Sequence, residues 1–146
     1  FSGRIFNNIR DQLGSAYTLG GDFIPGPDAG MIYFYVMTTS DKVEKVRELV
    51  KNEIRTLQTE IVPDNELKDI KTYLKGTFRS SQETVGALSF MTGLDELYGL
   101  GFENYRKYDS KIDEVTSEKV LEVSKRYFDL EKVAVVVTIP KAKPGN

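Results

Sequence analysis

Apolar positions recur along this chain at two periods, and the switches between them mark its elements. In residues 2–13 (SGRIFNNIRDQL), Ile5, Phe6, Ile9 and Leu13 fall at helical spacing, with Ser2 able to cap the start and Gly14 to end it. From Ala16 to Ile24 the chain is rich in Tyr, Thr, Leu and Phe; PGPDAG breaks the run, and MIYFYVMTT at 31–39 comes next as a β-prone segment. Two such runs joined by a Pro/Gly loop predict an antiparallel pair. Helical spacing then returns, because Val43, Val46, Val50, Ile54, Leu57 and Ile61 are separated by 3, 4, 4, 3 and 4 residues, behind Ser40 or Asp41 as cap.

Pro63 ends that pattern, and Asp64 or Asn65 can cap a second helix bearing Leu67, Ile70, Leu74 and Phe78. Ser81 and Thr84 open a third segment with Val85, Leu88, Met91 and Leu94, which stops near Gly99 and Gly101. A shorter helix around 102–109 and another at 117–128, opened by Thr116 and carrying Val120, Val123 and Tyr127, lead to KVAVVVTIP, a buried strand by composition. The order predicts an α+β fold with helices packed on one face of an antiparallel sheet. Residues 1–140 are expected to form a single, partial domain and 141–146 (KAKPGN) a flexible tail. Three strands are few for this much helix, and Phe1 already sits in a helical pattern. The expectation is therefore a piece of a longer polypeptide, with further strands upstream.

Aromatic clusters and glycines receive structural readings first. Tyr33, Phe34 and Tyr35 are expected to fill the sheet core, and the Phe90–Met91 pair likewise to be core. Gly20, Gly21, Gly26 and Gly30 match no phosphate-binding loop and read as turn residues.

Charge and composition exclude several functions. Lys and Arg number 20 against 22 Asp and Glu, and no block of like charge is long enough for a nucleic-acid or membrane footprint. No apolar run approaches the roughly 20 residues that span a bilayer. The sequence holds no Cys and no His, which removes disulfides, thiol nucleophiles, Cys/His zinc sites and His-dependent triads together. A carboxylate-only metal site would need ligand spacing that the scattered Asp and Glu residues lack. The compartment is not legible.

The segment GRIFNNIRDQLGSAYTLGG resembles the signature of the second domain of pitrilysin-type zinc peptidases, the group that includes mitochondrial processing peptidase and insulin-degrading enzyme. Arg10, Leu13, Gly14, Ala16 and Tyr17 carry the resemblance. TTSDKVEKV, VPDNELKDIKTYLKGTFRSSQET, ELYGLG and DEVTSEKVLEVSKRYF come after it in the family's order, so the resemblance runs from about residue 2 to about residue 140. It implies two facing α+β domains, with an inverted zinc motif, H-x-x-E-H plus a downstream Glu, in the first only. A chain without His is then the C-terminal, non-catalytic domain.

The same resemblance implies that Arg10 and Tyr17 bind substrate across the cleft from the zinc, where a guanidinium or phenol can stabilise the charge developing on the scissile carbonyl oxygen. From residue type alone, Arg10 can equally pair with a surface carboxylate such as Asp11 or Asp22, and Tyr17 can pack as a strand aromatic. The implied parent is a zinc endopeptidase acting on peptides or unfolded polypeptides. Zinc would be held in the parent and not by this fragment, and the N-terminal catalytic domain would lie in the same chain or a partner subunit. A non-proteolytic scaffold or partner subunit of the same family is the alternative. Self-association is expected through an unpaired sheet edge and an apolar face that missing strands would otherwise pair with.

Overall fold

The computed structural model describes residues 18–26 and 28–139. They form an α+β fold of two strands, β1 (Thr18–Ile24) and β2 (Met31–Met37), and five α-helices, α1 (Val43–Thr59), α2 (Asp64–Ser80), α3 (Val85–Leu97), α4 (Tyr108–Asp113) and α5 (Ser117–Tyr127). Single 3-10 turns, Ser40–Lys42 and Asn104–Lys107, lead into α1 and α4. The helix expected over residues 2–13 lies outside the described residues. Residues 18–56 and 125–139 make one compact unit and residues 57–124 a second.

In the first unit β1 and β2 pair antiparallel from Thr18↔Met37 to Ile24↔Met31, with the Pro/Gly loop closing the hairpin. Side chains alternate across a pleated strand, so Leu19, Gly21 and Phe23 share a face with Ile32, Phe34 and Val36. Helix α1 covers the Leu19/Val36 end of that face. Its Val46, only 7% exposed, packs with Leu49 and Val50 against Leu19 and Val36. Further along the same face, the Phe34 and Phe128 ring centroids lie 6.2 Å apart. Ile54, two turns beyond Val46, is also buried, as the apolar stripe predicts, whereas Ile61 lies past the helix end and is exposed. The α1 region begins one residue earlier than expected, with Thr39 as the extended cap of the 3-10 turn.

The strand expected at KVAVVVTIP is not formed. Residues 133–139 join no ladder among the described residues, and Val136 is 89% exposed. Valine favours extended backbone by crowding at Cβ, but a strand also needs a neighbour to take its N–H and C=O groups. The described sheet stops at two strands.

The second unit holds α2, α3, α4 and most of α5. Pro63 stands as the cap of α2, its carbonyl accepting from the Leu67 N–H at 3.0 Å, and Asp64 falls in the first turn. Thr84 caps α3 by accepting from the Ala87 N–H at 3.1 Å, and Thr116 caps α5 by accepting from the Lys119 N–H at 3.2 Å. After α3 the chain turns through Gly99 and Gly101 at φ of 72° and 83°, a region where a Cβ would be strained.

Helices α2 and α4 meet through an aromatic stack flanked by ion pairs. The Phe78 and Tyr108 rings lie 3.7 Å apart and 12° from parallel. Lys75 Nζ reaches Asp113 Oδ1 at 2.5 Å, Arg79 Nη2 reaches Asp109 Oδ2 at 2.5 Å, and Lys71 Nζ donates to the Asp113 carbonyl at 2.9 Å. Residue numbers rise on one helix as they fall on the other, so the pairs clasp two antiparallel helices. The hydrogen bond from Lys75 is the main cause that holds the Asp113 carboxyl below the usual carboxylate range.

Val46→Ala removes two carbons from a buried site, and at about 0.8 kcal/mol per buried CH₂ plus a cavity term it should cost about 2 kcal/mol in urea unfolding. Val136→Ala should stay within about 0.5 kcal/mol, as for an exposed position. Asp113 also makes stability pH-dependent. Its proton is bound less readily in the folded state, so its contribution is complete above the ordinary carboxylate range and is lost as pH falls through the lowered folded value. Asp113→Asn should therefore flatten part of the acid-side decline in melting temperature, measured from pH 6 down to about pH 3, and equal slopes in the two proteins would refute this.

Candidate functional site

Arg10 and Tyr17, the residues expected to bind substrate, lie outside the described residues. Immediately after Tyr17, Thr18 opens β1, so the hairpin is the scaffold that continues this part of the chain. Asp22, one of the carboxylates open to Arg10 in the sequence, accepts from the neighbouring Phe23 N–H at 2.7 Å through Oδ1.

The hairpin has two unlike faces. Opposite the α1-covered face, Met31, Tyr33, Tyr35 and Met37 from β2 stand beside Thr18, Gly20, Asp22 and Ile24 from β1. Tyr35, Met31 and Met37 are exposed, and the Tyr33 and Tyr35 rings stack with centroids 6.3 Å apart. The aromatic run is thus not uniformly core. Phe34 turns toward the covered side, while the two tyrosines present phenol hydroxyls on the open side, because odd and even positions of one strand cannot share a face.

Gly20 and Gly21 are strand residues and not turn residues. They pair with Tyr35 and Phe34, and a Cβ at Gly20 would sit 2.8 Å from the Tyr35 hydroxyl oxygen, one at Gly21 2.7 Å from Phe34 Cδ1. Each glycine leaves room for the ring across from it. Gly26 and Gly30 do lie in the connecting loop, where a Cβ at Gly26 would overlap the Ala29 carbonyl oxygen. The open tyrosine face and the backbone edges can offer a peptide both phenol donors and main-chain partners.

Two shallow grooves mark the second unit. One, about 270 Å³, is lined by Asp64, Leu67, Lys68, Lys71, Thr72, Lys75 and Asp113. Its Lys71 and Lys75 amino groups are already engaged by Asp113, so it belongs to the α2–α4 clasp. The other, about 240 Å³, lies beside the Phe78–Tyr108 stack and includes Met91, Asp95, Asn104, Tyr105 and Lys111. Sequence reasoning does not reach the clasp, although its signal is visible: Lys71, Lys75 and Arg79 at intervals of four on one helix face, Asp109 and Asp113 four apart further on.

No group of three or more His, Cys, Asp and Glu residues among the described residues could hold a metal ion, and no described helix is long and apolar enough to cross a membrane. With neither His nor Cys anywhere in the sequence, the donors do not fit a zinc site.

Comparison with known proteins sets this hairpin and its helices in a family. A family model described as the peptidase M16 inactive domain matches residues 1–74, the segment that holds Arg10, Tyr17, the hairpin, α1 and much of α2. An uncharacterized zinc protease of Rickettsia bellii is 28% identical over 142 residues, covering 93% of this chain and 33% of that protein. One from Rickettsia felis is 31% identical over 122 residues, covering 84% of this chain and 26% of its own. The uncharacterized zinc protease YmxG of Bacillus subtilis is 23% identical over 127 residues, covering 87% and 31%. The chain thus spans about a third or less of these curated relatives. In fold it matches the crystal structure of a peptidase M16 inactive domain from Pseudomonas fluorescens with a TM-score of 0.79 at 21% identity, over 90% of this chain and 31% of that one. The hairpin, the helices after it and the matched first half together place the chain in the peptidase M16 family, to whose inactive domain it belongs.

Proposed function

We propose that this chain is the C-terminal, substrate-clamping domain of a zinc-dependent endopeptidase, with Arg10 and Tyr17 directed at the peptide bond undergoing cleavage. The observation that supports this most is the Arg10–Tyr17 motif itself, which lies inside the family-matched segment and runs straight into β1. Relatives that carry the name zinc protease are about three times as long or more, which leaves room in them for a separate zinc-binding domain. In this reading the zinc and its ligands belong to that other domain, in the same chain or a partner subunit, because the donors here do not fit the metal.

The chemistry required of this domain comes from charge. As a nucleophile adds to the scissile carbonyl, negative charge collects on its oxygen, and fixed donors in a water-poor cleft stabilise it more than water does. Arg10 offers a planar, permanently charged fork, and Tyr17 one hydroxyl. The open tyrosine face of the hairpin would extend the contact surface for an extended peptide or unfolded polypeptide beyond the reacting bond.

In the full-length parent, Tyr17→Phe should lower kcat and kcat/KM together, by about 10²–10³, the cost of one such donor. The melting temperature should not change, since only a hydroxyl is lost. Arg10→Lys should be similarly impaired, because an ammonium cannot reproduce the fork. Near-parental rates for both variants on a peptide substrate would remove these residues from the site, and a parent with no hydrolysis that still binds peptide would favour the scaffold alternative. The 146-residue chain alone should retain no stoichiometric zinc after chelation and dialysis. Metal analysis giving one zinc per chain would overturn the division of labour.

A further inference from the structure

Four elements of the second unit converge on the groove of about 240 Å³ beside the Phe78–Tyr108 stack. Phe78 comes from α2, Met91 and Asp95 from successive turns of α3, Tyr105 from the 3-10 turn, and Tyr108 and Lys111 from successive turns of α4. Of the Phe90–Met91 pair expected in the core, Met91 is half-buried here while Phe90 is 70% exposed; an almost wholly apolar helix has no polar side to show which face turns outward. The chain is brought back against α3 by two ties across the glycine turn, from the Leu100 N–H to the Asp95 carbonyl and from the Phe102 N–H to Glu96 Oε2, both at 2.9 Å.

The charges around this groove are unequally matched. Arg79 is held by Asp109, and Arg106 by Glu103. The half-buried Asp95 carboxylate has no hydrogen bond or ion pair among the described residues, and Lys111 Nζ donates to the neutral Asn104 Oδ1 at 2.9 Å. One carboxylate and one ammonium thus line the same groove without pairing with each other.

We propose that this groove binds a free α-amino acid with an apolar side chain, its ammonium on Asp95 and its carboxylate on Lys111. A simple cation would meet Asp95 but be opposed by Lys111, and a simple anion would meet the reverse. A zwitterion carries both signs on one carbon near neutral pH and uses each. A half-buried carboxylate without a partner has lost part of its hydration, and the ligand's ammonium returns it as a charge-assisted hydrogen bond. The rings of Phe78, Tyr105 and Tyr108 and the Met91 thioether give the side chain an apolar floor. Pockets for drug-sized ligands run from about 300 to 1,000 Å³, so this smaller groove suits one residue and not a peptide. The site is separate from Arg10 and Tyr17 and does not depend on the proposed function.

Titration of the 146-residue chain with L-phenylalanine, followed by calorimetry and by NMR, tests this. Binding should saturate with a Kd between about 0.1 and 1 mM, as for a small ligand in an open groove, and the Tyr105 and Tyr108 ring resonances should shift. Asp95→Asn and Lys111→Gln should each weaken it by about tenfold or more, the loss of one charged contact. The melting temperature of Asp95→Asn should stay at the parental value, because no described group bonds to that carboxylate. Phenethylamine and 3-phenylpropionate, which keep the ring and one charge each, should bind at least about tenfold more weakly than the amino acid. The proposal is overturned by a titration that does not saturate by about 10 mM, by either single-charge compound binding as tightly as L-phenylalanine, or by binding that either variant leaves unchanged.

Discussion

A two-stranded ribbon in water does not hold itself together, and every property of the first unit depends on how this hairpin is supported. The support is local and small: Val46, with Leu49 and Val50, set against the cross-strand pair Leu19 and Val36. Because α1 comes after β2 with only a short turn between them, the covering helix is delivered to the sheet by the same stretch of chain that makes it, and little loop entropy opposes the contact. The covered face then decides the open one. Once Leu19 and Val36 are turned toward α1, pleating leaves Tyr33 and Tyr35 no choice but the other side.

The second unit solves its packing differently. Among its described apolar side chains only Val62 is fully buried, and α2 and α4 are joined by one ring stack, two exposed ion pairs and the hydrogen bond from Lys71 to the Asp113 carbonyl. Exposed pairs each add little, commonly under about 1 kcal/mol, so the stacked Phe78 and Tyr108 rings carry more of the cohesion between these two helices.

Much of the fold is written in local patterns. The Val43–Val46–Val50–Ile54 stripe announces α1, Thr84 and Thr116 announce the starts of α3 and α5, and Gly99 and Gly101 mark a stop, because capping and helical periodicity act within a few residues. The features that escape sequence reading depend on partners far away along the chain. KVAVVVTIP has the composition of a strand, but pairing is a property of two segments. Gly20 and Gly21 resemble turn residues until Tyr35 and Phe34 are seen across from them, and Lys75 is 38 residues from Asp113. Arg10 and Tyr17 are recognisable by likeness of motif, and the described residues begin just after them.

The two glycines of β1 act as a keyway for the hairpin. A ring lies over each, so sliding β1 along β2 by a single step would push Leu19 or Asp22 beneath a bulky aromatic and at the same time turn the wrong row of side chains toward α1. Alignment is thereby set in the middle of the ribbon and not at its tip. The PGPDAG connection is then released from the task of setting alignment, and a change in its length or composition leaves the tyrosines where they are.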